Sequence, residues 1–461
     1  MVSARRCAAV VTVILTVALA GFGAPPAGAV TPPVVEPGPP PSGPVAPAQP
    51  TELKAICGIP TGVLPGTDFT KQTSAEAMLE YRRAWRFSRG AGQKVAVIDT
   101  GVNRHPRLPA LEPGGDYVSS SDGLVDCDAH GTLVAGIIAA TPVDGDSFAG
   151  VAPEASILSI RQNSGAYSVA GTSSGQNDDP NATSIGYGNT HTLALAITRA
   201  VDLGATVINL SEVACAPVSA GLDDRELGRA VRYAYERNVV VVAAAGNFNS
   251  QSMCNAQNNM NDPNQPLDNG WNSVSTIASP AWFADYVLTV GAVTTSATPA
   301  DFSLHGPWVA VAAPGERVTS LDPGGPGLSN AQLGQQGLAP LNGTSFAAPF
   351  VSGVVALIRS RYPNLTAGEV KDLIERTART PGNGPNQATG YGVVDPVAAL
   401  TYQLPPGAGD RDVTASSPIS GPPQPDPGNV RARRIVFTVT AACLALMVAA
   451  VAVAAARRRT R

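Results

Sequence analysis

Four short runs in the middle of the chain are almost wholly apolar and rich in β-branched residues: 94–98 (K-V-A-V-I), 156–160, 205–210 and 239–244. Each is near-continuously apolar rather than alternating, as expected of strands covered by helices on both sheet faces. Between them the spacing turns helical. Residues 191–202 lead into the third run and 224–236 into the fourth, while small-rich helical patterns start at Leu133 and follow Ser345. Strand, helix, strand repeated in this way predicts an α/β fold on a mostly parallel sheet. Two polar, Gly/Asn-rich stretches, about 162–190 and 248–273, are too long for ordinary connections and are expected to be surface insertions. Residues 74–88 predict a further helix ahead of the first strand. Ser74 is its expected N-cap, with Ala77 standing where a capping-box acid would sit.

The two ends carry different patterns. Residues 1–29 combine Arg5 and Arg6, an apolar run and a small-residue P-P-A-G-A segment, which reads as a secretory signal peptide. Residues 30–50 form a proline-rich spacer: nine of the twenty residues from Thr31 to Pro50 are proline. The segment 51–89 precedes one large domain, 90–403, and a Pro/Gly-rich stalk with a basic flank occupies 404–434. Residues 435–456 are 22 consecutive uncharged, mostly apolar residues, long enough to cross a membrane as a helix. A basic tail, 457–461, closes the chain. Arginines flank the span on both sides, which blunts the positive-inside comparison. The signal peptide decides the orientation: the body is expected outside the cytoplasm and the tail inside.

Charge and cysteines narrow the function. Both terminal segments are basic and lack acids, so the exported body holds 22 basic and 35 acidic residues, about −13, which argues against nucleic-acid binding. Cys7 lies in the signal and Cys443 in the span. That leaves Cys57, Cys127, Cys215 and Cys254 in a disulfide-permissive compartment, where three pairings are open. The four are scattered and lack a C-x-x-C motif, and D144-G-D is too unspecific for a cation site. No metal or cofactor is expected.

Chemistry gathers at the carboxyl ends of strands in such sheets. Asp99 ends the first run. His130, in D128-A-H-G-T, opens a small-rich helix whose dipole disfavours the imidazolium. Asn247 ends the buried run A244-A-G-N, where its amide can donate to developing negative charge. Ser345, in N342-G-T-S-F-A-A-P, opens a helix and so places a hydroxyl and a backbone N–H at one point. Individually these are a turn aspartate, a helix terminus, a turn asparagine and a helix cap. Together they match a nucleophile, its base, the base's orienting carboxylate and an oxyanion donor. The other histidines lack such a setting: His105 reads as a loop residue, His191 begins a helix, and His305 lies in a turn.

The motifs V95-A-V-I-D99-T-G-V, H130-G-T-L-V-A-G, A244-A-G-N247 and N342-G-T-S345-F-A-A-P resemble the subtilisin-like serine proteases in chain order and across about residues 90–400. The resemblance implies a mostly parallel sheet of about seven strands flanked by helices. It also implies peptide-bond cleavage through an acyl-enzyme, with catalytic Asp99, His130 and Ser345 and an oxyanion hole at Asn247. V207-I-N-L-S211 resembles the strand that pairs with substrate backbone, through Leu210 and Ser211. Three residues depart from the pattern: Val213 for a usual Gly, Phe346 for a frequent Met and Phe350 for a frequent His. The whole layout resembles the mycosins, membrane-anchored proteases of type VII secretion systems. That likeness implies an N-terminal extension wrapping the catalytic domain, and disulfides Cys57–Cys127 and Cys215–Cys254. It further implies partners among the system's secreted substrates and membrane components, in two roles: processing enzyme and structural stabiliser of the complex.

Overall fold

The structure, a computed structural model, describes residues 30–58, 60–172, 181–183, 186–249, 254–259, 270–334, 336–404 and 430–458, with backbone alone for 430–438. The expected signal peptide and nearly all of the stalk lie outside the described residues.

The apolar runs form the centre of a seven-stranded sheet. Its strands are β1 (Lys94–Asp99), β2 (Leu111–Asp116), β3 (Ser156–Arg161), β4 (Val207–Leu210), β5 (Val240–Ala244), β6 (Val287–Val293) and β7 (Val309–Pro314). Their order is β7-β6-β5-β4-β1-β3-β2, with every neighbouring pair parallel. The reason for continuous rather than alternating hydrophobicity is direct. Val95, Val97, Val207, Val240 and Val242 enter one core cluster, while their strand neighbours Ala96, Ile98, Ile208, Val241 and Ala243 enter another on the opposite face. Both faces are therefore dry, and a polar residue on either would lose its water.

Helices cover the two faces. The chain supplies α1 (Ser74–Leu79), α2 (Tyr81–Ala84), α3 (His130–Ala139), α4 (Thr190–Asp202), α5 (Arg225–Glu236), α6 (Thr344–Arg361), α7 (Ala367–Thr377) and α8 (Pro396–Thr401). Helices α4 and α5 pack with the second cluster, and α3, α6, α7 and α8 with the first. Every residue of α6 from Thr344 to Arg359 is buried, and the helix packs against β4, β5, β6 and β7. A helix apolar all round is stable only inside a core. Helix α9 (Val430–Arg457) is a separate unit, and its segment Val439–Arg457 is long and apolar enough to span a membrane once.

The helix expected over 74–88 differs in detail. Its cap is Thr73, not Ser74: the Thr73 hydroxyl accepts the Glu76 N–H at 3.2 Å, so an acid does stand three residues after the cap. Glu76 is buried and its carboxylate pairs with Arg82 at 2.9 Å. The segment then breaks at Glu80, which adopts a left-handed φ of 51°, and α2 resumes as a single turn.

The residues ahead of α1 lie along the body at several points. Val35 packs beside the α4/α5 cluster, and the Ala48 N–H donates to the Tyr187 hydroxyl at 2.8 Å. Thr51–Leu53 pairs antiparallel with Tyr167–Val169, and Thr61–Gly62 pairs with Ala331–Gln332. Between these two pairings Cys57 is disulfide-bonded to Cys127, and Cys215 is bonded to Cys254 elsewhere in the body. Closing a loop of 70 residues restricts the unfolded chain. Replacing Cys57 and Cys127 together by serine is expected to destabilise the body by about 2–5 kcal/mol, read as a lowered thermal midpoint against the wild type. An unchanged midpoint would show that the bridge contributes nothing.

Candidate active site

Strands β4, β1 and β3 are neighbours, so their carboxyl ends share one edge. Asp99 is the last residue of β1 and is fully buried. Ala129 turns the chain with a left-handed φ of 66°, an uncommon conformation for a residue with a Cβ, and makes His130 the first residue of α3. His130 Nδ1 lies 2.8 Å from Asp99 Oδ1, an oxygen that also accepts the Thr100 N–H at 2.8 Å. This contact assigns the proton to Nδ1 and leaves Nε2 as the acceptor. Close packing behind the pair depends on Gly131, where a methyl group would stand 2.0 Å from the Gly101 carbonyl oxygen and 3.2 Å from Asp99 Cβ.

A buried polar network supports the pair. The Asp126 carboxylate accepts from Thr132 N–H and Oγ1 at 2.8 and 2.6 Å, and from Thr100 Oγ1 at 2.8 Å; Thr100 Oγ1 in turn accepts the Gly131 N–H at 2.9 Å. Burial pushes the Asp126 carboxyl up to about 6 against these bonds.

Ser345 stands in the first turn of α6, a place where helical N–H groups lack an intrahelical partner and the dipole favours negative charge. Asn247 lies just past β5. Its Oδ1 accepts the Thr344 N–H at 2.9 Å and the Thr344 hydroxyl at 3.0 Å, which leaves the amide nitrogen to face the opening. Ser345 Oγ and Asn247 Nδ2 border the same small space: a methyl group on Gly343 would lie 2.9 Å from the first and 3.5 Å from the second. Only glycine at 343 leaves that space open. At the end of β4 the Ser211 hydroxyl donates to the Ser345 carbonyl oxygen at 2.8 Å and accepts from Asn209 Nδ2 at 2.9 Å, so the Leu210–Ser211 segment is tied to the serine turn.

His130 and Ser345 meet through Phe346, whose ring centroid is 5.2 Å from that of His130. No hydrogen bond joins Ser345 Oγ to His130 among the described residues, and such bonds are commonly loose before substrate binds. Phe350 does not border the serine hydroxyl; it is buried with its ring centroid 6.5 Å from Tyr81, where it packs α6 against α2. Val213 approaches Gly246, next to Asn247, from a position 3.4 Å from where a Gly246 methyl would sit. His105 and His305 are buried or half-buried away from this edge, and His191 pairs with Glu226 at 2.5 Å in a polar depression of about 510 Å³ at the starts of α4 and α5.

One group escaped the sequence reading. Glu212, directly after Ser211, places Oε1 3.6 Å from His130 Nδ1. Its position beside the expected substrate strand was the available signal, but its histidine contact is 82 residues distant in sequence. Burial works to lower the His130 pKa. The Asp99 charge and hydrogen bond override it, helped by Glu212 and Asp126, and carry it up to about 10. Burial also pushes the Glu212 carboxyl up to about 8, against the pull of His130. Asp99, His130 and Glu212 hold their ligand atoms close enough to grip an ion. The Asp99 contact already takes the imidazole nitrogen such an ion would need.

Comparison with known proteins agrees with this geometry. Residues 90–392 match the profile of the Subtilase family. The chain is 44% identical to Mycosin-1 of Mycolicibacterium smegmatis over 456 residues, covering 98% of this chain and 99% of the relative. The crystal structure of MycP1 from Mycobacterium smegmatis aligns with a TM-score of 0.76 at 45% identity, over 82% of this chain and 96% of that one. A chain in the structure of an intact ESX-5 inner membrane complex aligns with a TM-score of 0.76 at 44% identity, over 92% and 100%. A match of this identity over nearly the whole length assigns the chain: it belongs to the subtilase family of serine peptidases, in its mycosin branch.

Proposed function

We infer that the chain is a membrane-anchored serine endopeptidase in which Asp99, His130 and Ser345 carry the chemistry and Asn247 the oxyanion. The observation that carries this reading is the Asp99–His130 bond, set at the same sheet edge as a helix-terminal serine that shares its opening with the Asn247 amide. His130 Nε2 takes the Ser345 hydroxyl proton as Oγ attacks the scissile carbonyl carbon. The carbonyl oxygen becomes an oxyanion held by Asn247 Nδ2 and the Ser345 N–H. Collapse breaks the C–N bond, and the imidazolium returns its proton to the leaving amine. Water, activated by the same imidazole, then attacks the acyl-enzyme and frees Ser345. Asp99 keeps Nδ1 protonated and stabilises the cation formed midway.

The substrates are proteins exported by a type VII secretion system, and the partners are that system's membrane components. This rests on the relatives' setting: solved relatives include MycP1 from the ESX-1 type VII secretion system and a chain of the ESX-5 inner membrane complex. The apolar helix segment Val439–Arg457 anchors the body on the extracytoplasmic side, with the arginine tail inside. A second role, stabilising the secretion complex, is favoured by the near-complete alignment with the ESX-5 chain.

Three outcomes check this reading. Ser345→Ala lowers peptide cleavage by about 10⁴-fold or more and abolishes labelling by a fluorophosphonate, while leaving the secretion complex assembled. Loss of the complex in that variant would place the serine in assembly instead. Asn247→Ala lowers kcat by roughly 10²–10³-fold with little change in KM, because the amide acts on the transition state alone; an equal rise in KM would instead make Asn247 a substrate-binding group. The third concerns pH. Only neutral His130 can act as base, and its pKa is raised, so kcat/KM climbs with pH along a limb above about 6.5, the ordinary imidazole value. Glu212→Gln removes one carboxylate that favours the cation and shifts that limb to lower pH. A limb that stays in place would show that Glu212 does not act on the imidazole.

A further inference from the structure

Two polar side chains bracket the Asp99–His130 pair, and the cleavage mechanism uses neither. Glu212 follows the end of β4, and Asn163 lies two residues beyond β3; β1, which carries Asp99, runs between those strands. The Glu212 carboxylate is 3.6 Å from His130 Nδ1, and its side chain keeps 20% of its surface exposed, so it borders both the imidazole and the opening. Asn163 is fully buried. Its amide N–H reaches the Glu212 carboxylate and favours that group's charged form, while its carbonyl oxygen is buried with no partner of its own. A buried carbonyl oxygen left unmet is costly and marks a place where a ligand group completes the bonding.

The local charge is one-sided. The charges of Asp99 and Asp128 both act on Glu212, and Arg161, which acts on Asp128, lies 3.5 Å from Asp116 and stacks 4.8 Å from the Tyr167 ring. Asp128 is occupied by Ser164 and Gly165, which leaves Glu212 with His130 as its cationic neighbour. Glu212 directly follows Ser211 and lies beside His130, so a substrate strand laid along Leu210–Ser211 would pass next to its carboxylate.

We propose that Glu212 and Asn163 form a subsite for a cationic side chain, lysine or arginine, on the substrate segment upstream of the cleaved bond. The ammonium or guanidinium donates to the Glu212 carboxylate, and the Asn163 carbonyl oxygen accepts a further N–H. The inference rests on the serine-peptidase reading and names the substrate class of that same site. It has a second consequence: a cation at Glu212 offsets a charge that holds His130 protonated, so the matching substrate also releases the base. Burial raises the Glu212 pKa, as expected for an acid whose full partner is still to arrive.

The test uses the full-length protein in detergent, as Ser345→Ala so that binding is read without turnover. The probes are fluorescent peptides of one backbone with lysine, glutamine or glutamate placed in turn at each of three upstream positions. The expected result is about tenfold or tighter binding of lysine over glutamine at one position, and weaker binding still of glutamate. Adding Glu212→Gln removes the lysine preference, and Glu212→Lys turns it toward glutamate. Equal binding of lysine and glutamine at all three positions, or a preference that survives Glu212→Gln with an unchanged thermal midpoint, overturns the subsite. The parent reading is judged separately by fluorophosphonate labelling of wild-type Ser345: labelling without a lysine preference sinks the subsite and leaves the peptidase, whereas no labelling sinks the peptidase.

Discussion

The site exists because two helices begin where strands end. Strands β1, β4 and β5 deliver Asp99, Ser211 and Asn247 to one edge, and α3 and α6 start there with His130 and Ser345. That convergence depends on very close packing of backbone, above all at Gly131 and Gly343. With any side chain at 131, α3 would be pushed off the Gly101 carbonyl and His130 would leave Asp99. With one at 343, the space shared by the serine hydroxyl and the asparagine amide would be filled. Core packing is what makes these approaches rigid: α6 is buried through four turns before it reaches solvent, so Ser345 cannot drift without moving the sheet's cover.

The same edge sets two electrostatic demands against each other. The amino end of α3 and the burial of the ring favour neutral imidazole, while Asp99, Glu212 and Asp126 favour the cation. In a triad the carboxylate must win only during the reaction, when positive charge develops on the ring. A second carboxylate at 3.6 Å makes the resting balance more anionic than the chemistry requires.

Much of this was readable from sequence, because the signals were local. Asp99 and Asn247 each terminate an apolar run, and His130 and Ser345 each precede a helical pattern. The sheet followed from continuous hydrophobicity, which the two opposed core clusters explain. What escaped depends on contacts between distant residues. Glu212 is an unremarkable acid until the fold brings it to His130. Phe350 lies little more than one turn beyond Ser345 in sequence yet packs beside Tyr81. The cap of α1 was missed by one residue because Thr73 and Ser74 are both good caps, and it is the Thr73 hydroxyl that accepts the Glu76 N–H.

The amino-terminal segment is stitched to the body on both sides of its disulfide: by strand pairing at Thr51–Leu53, by the bond from Cys57 to Cys127, and again by pairing at Thr61–Gly62. A single nick in the chain between Cys57 and Tyr81 therefore releases nothing. The piece ahead of the cut stays covalently attached three residues from His130, and the piece behind it remains part of the folded body. For this segment, being cleaved and being removed are different events, and only reduction of the bridge turns one into the other.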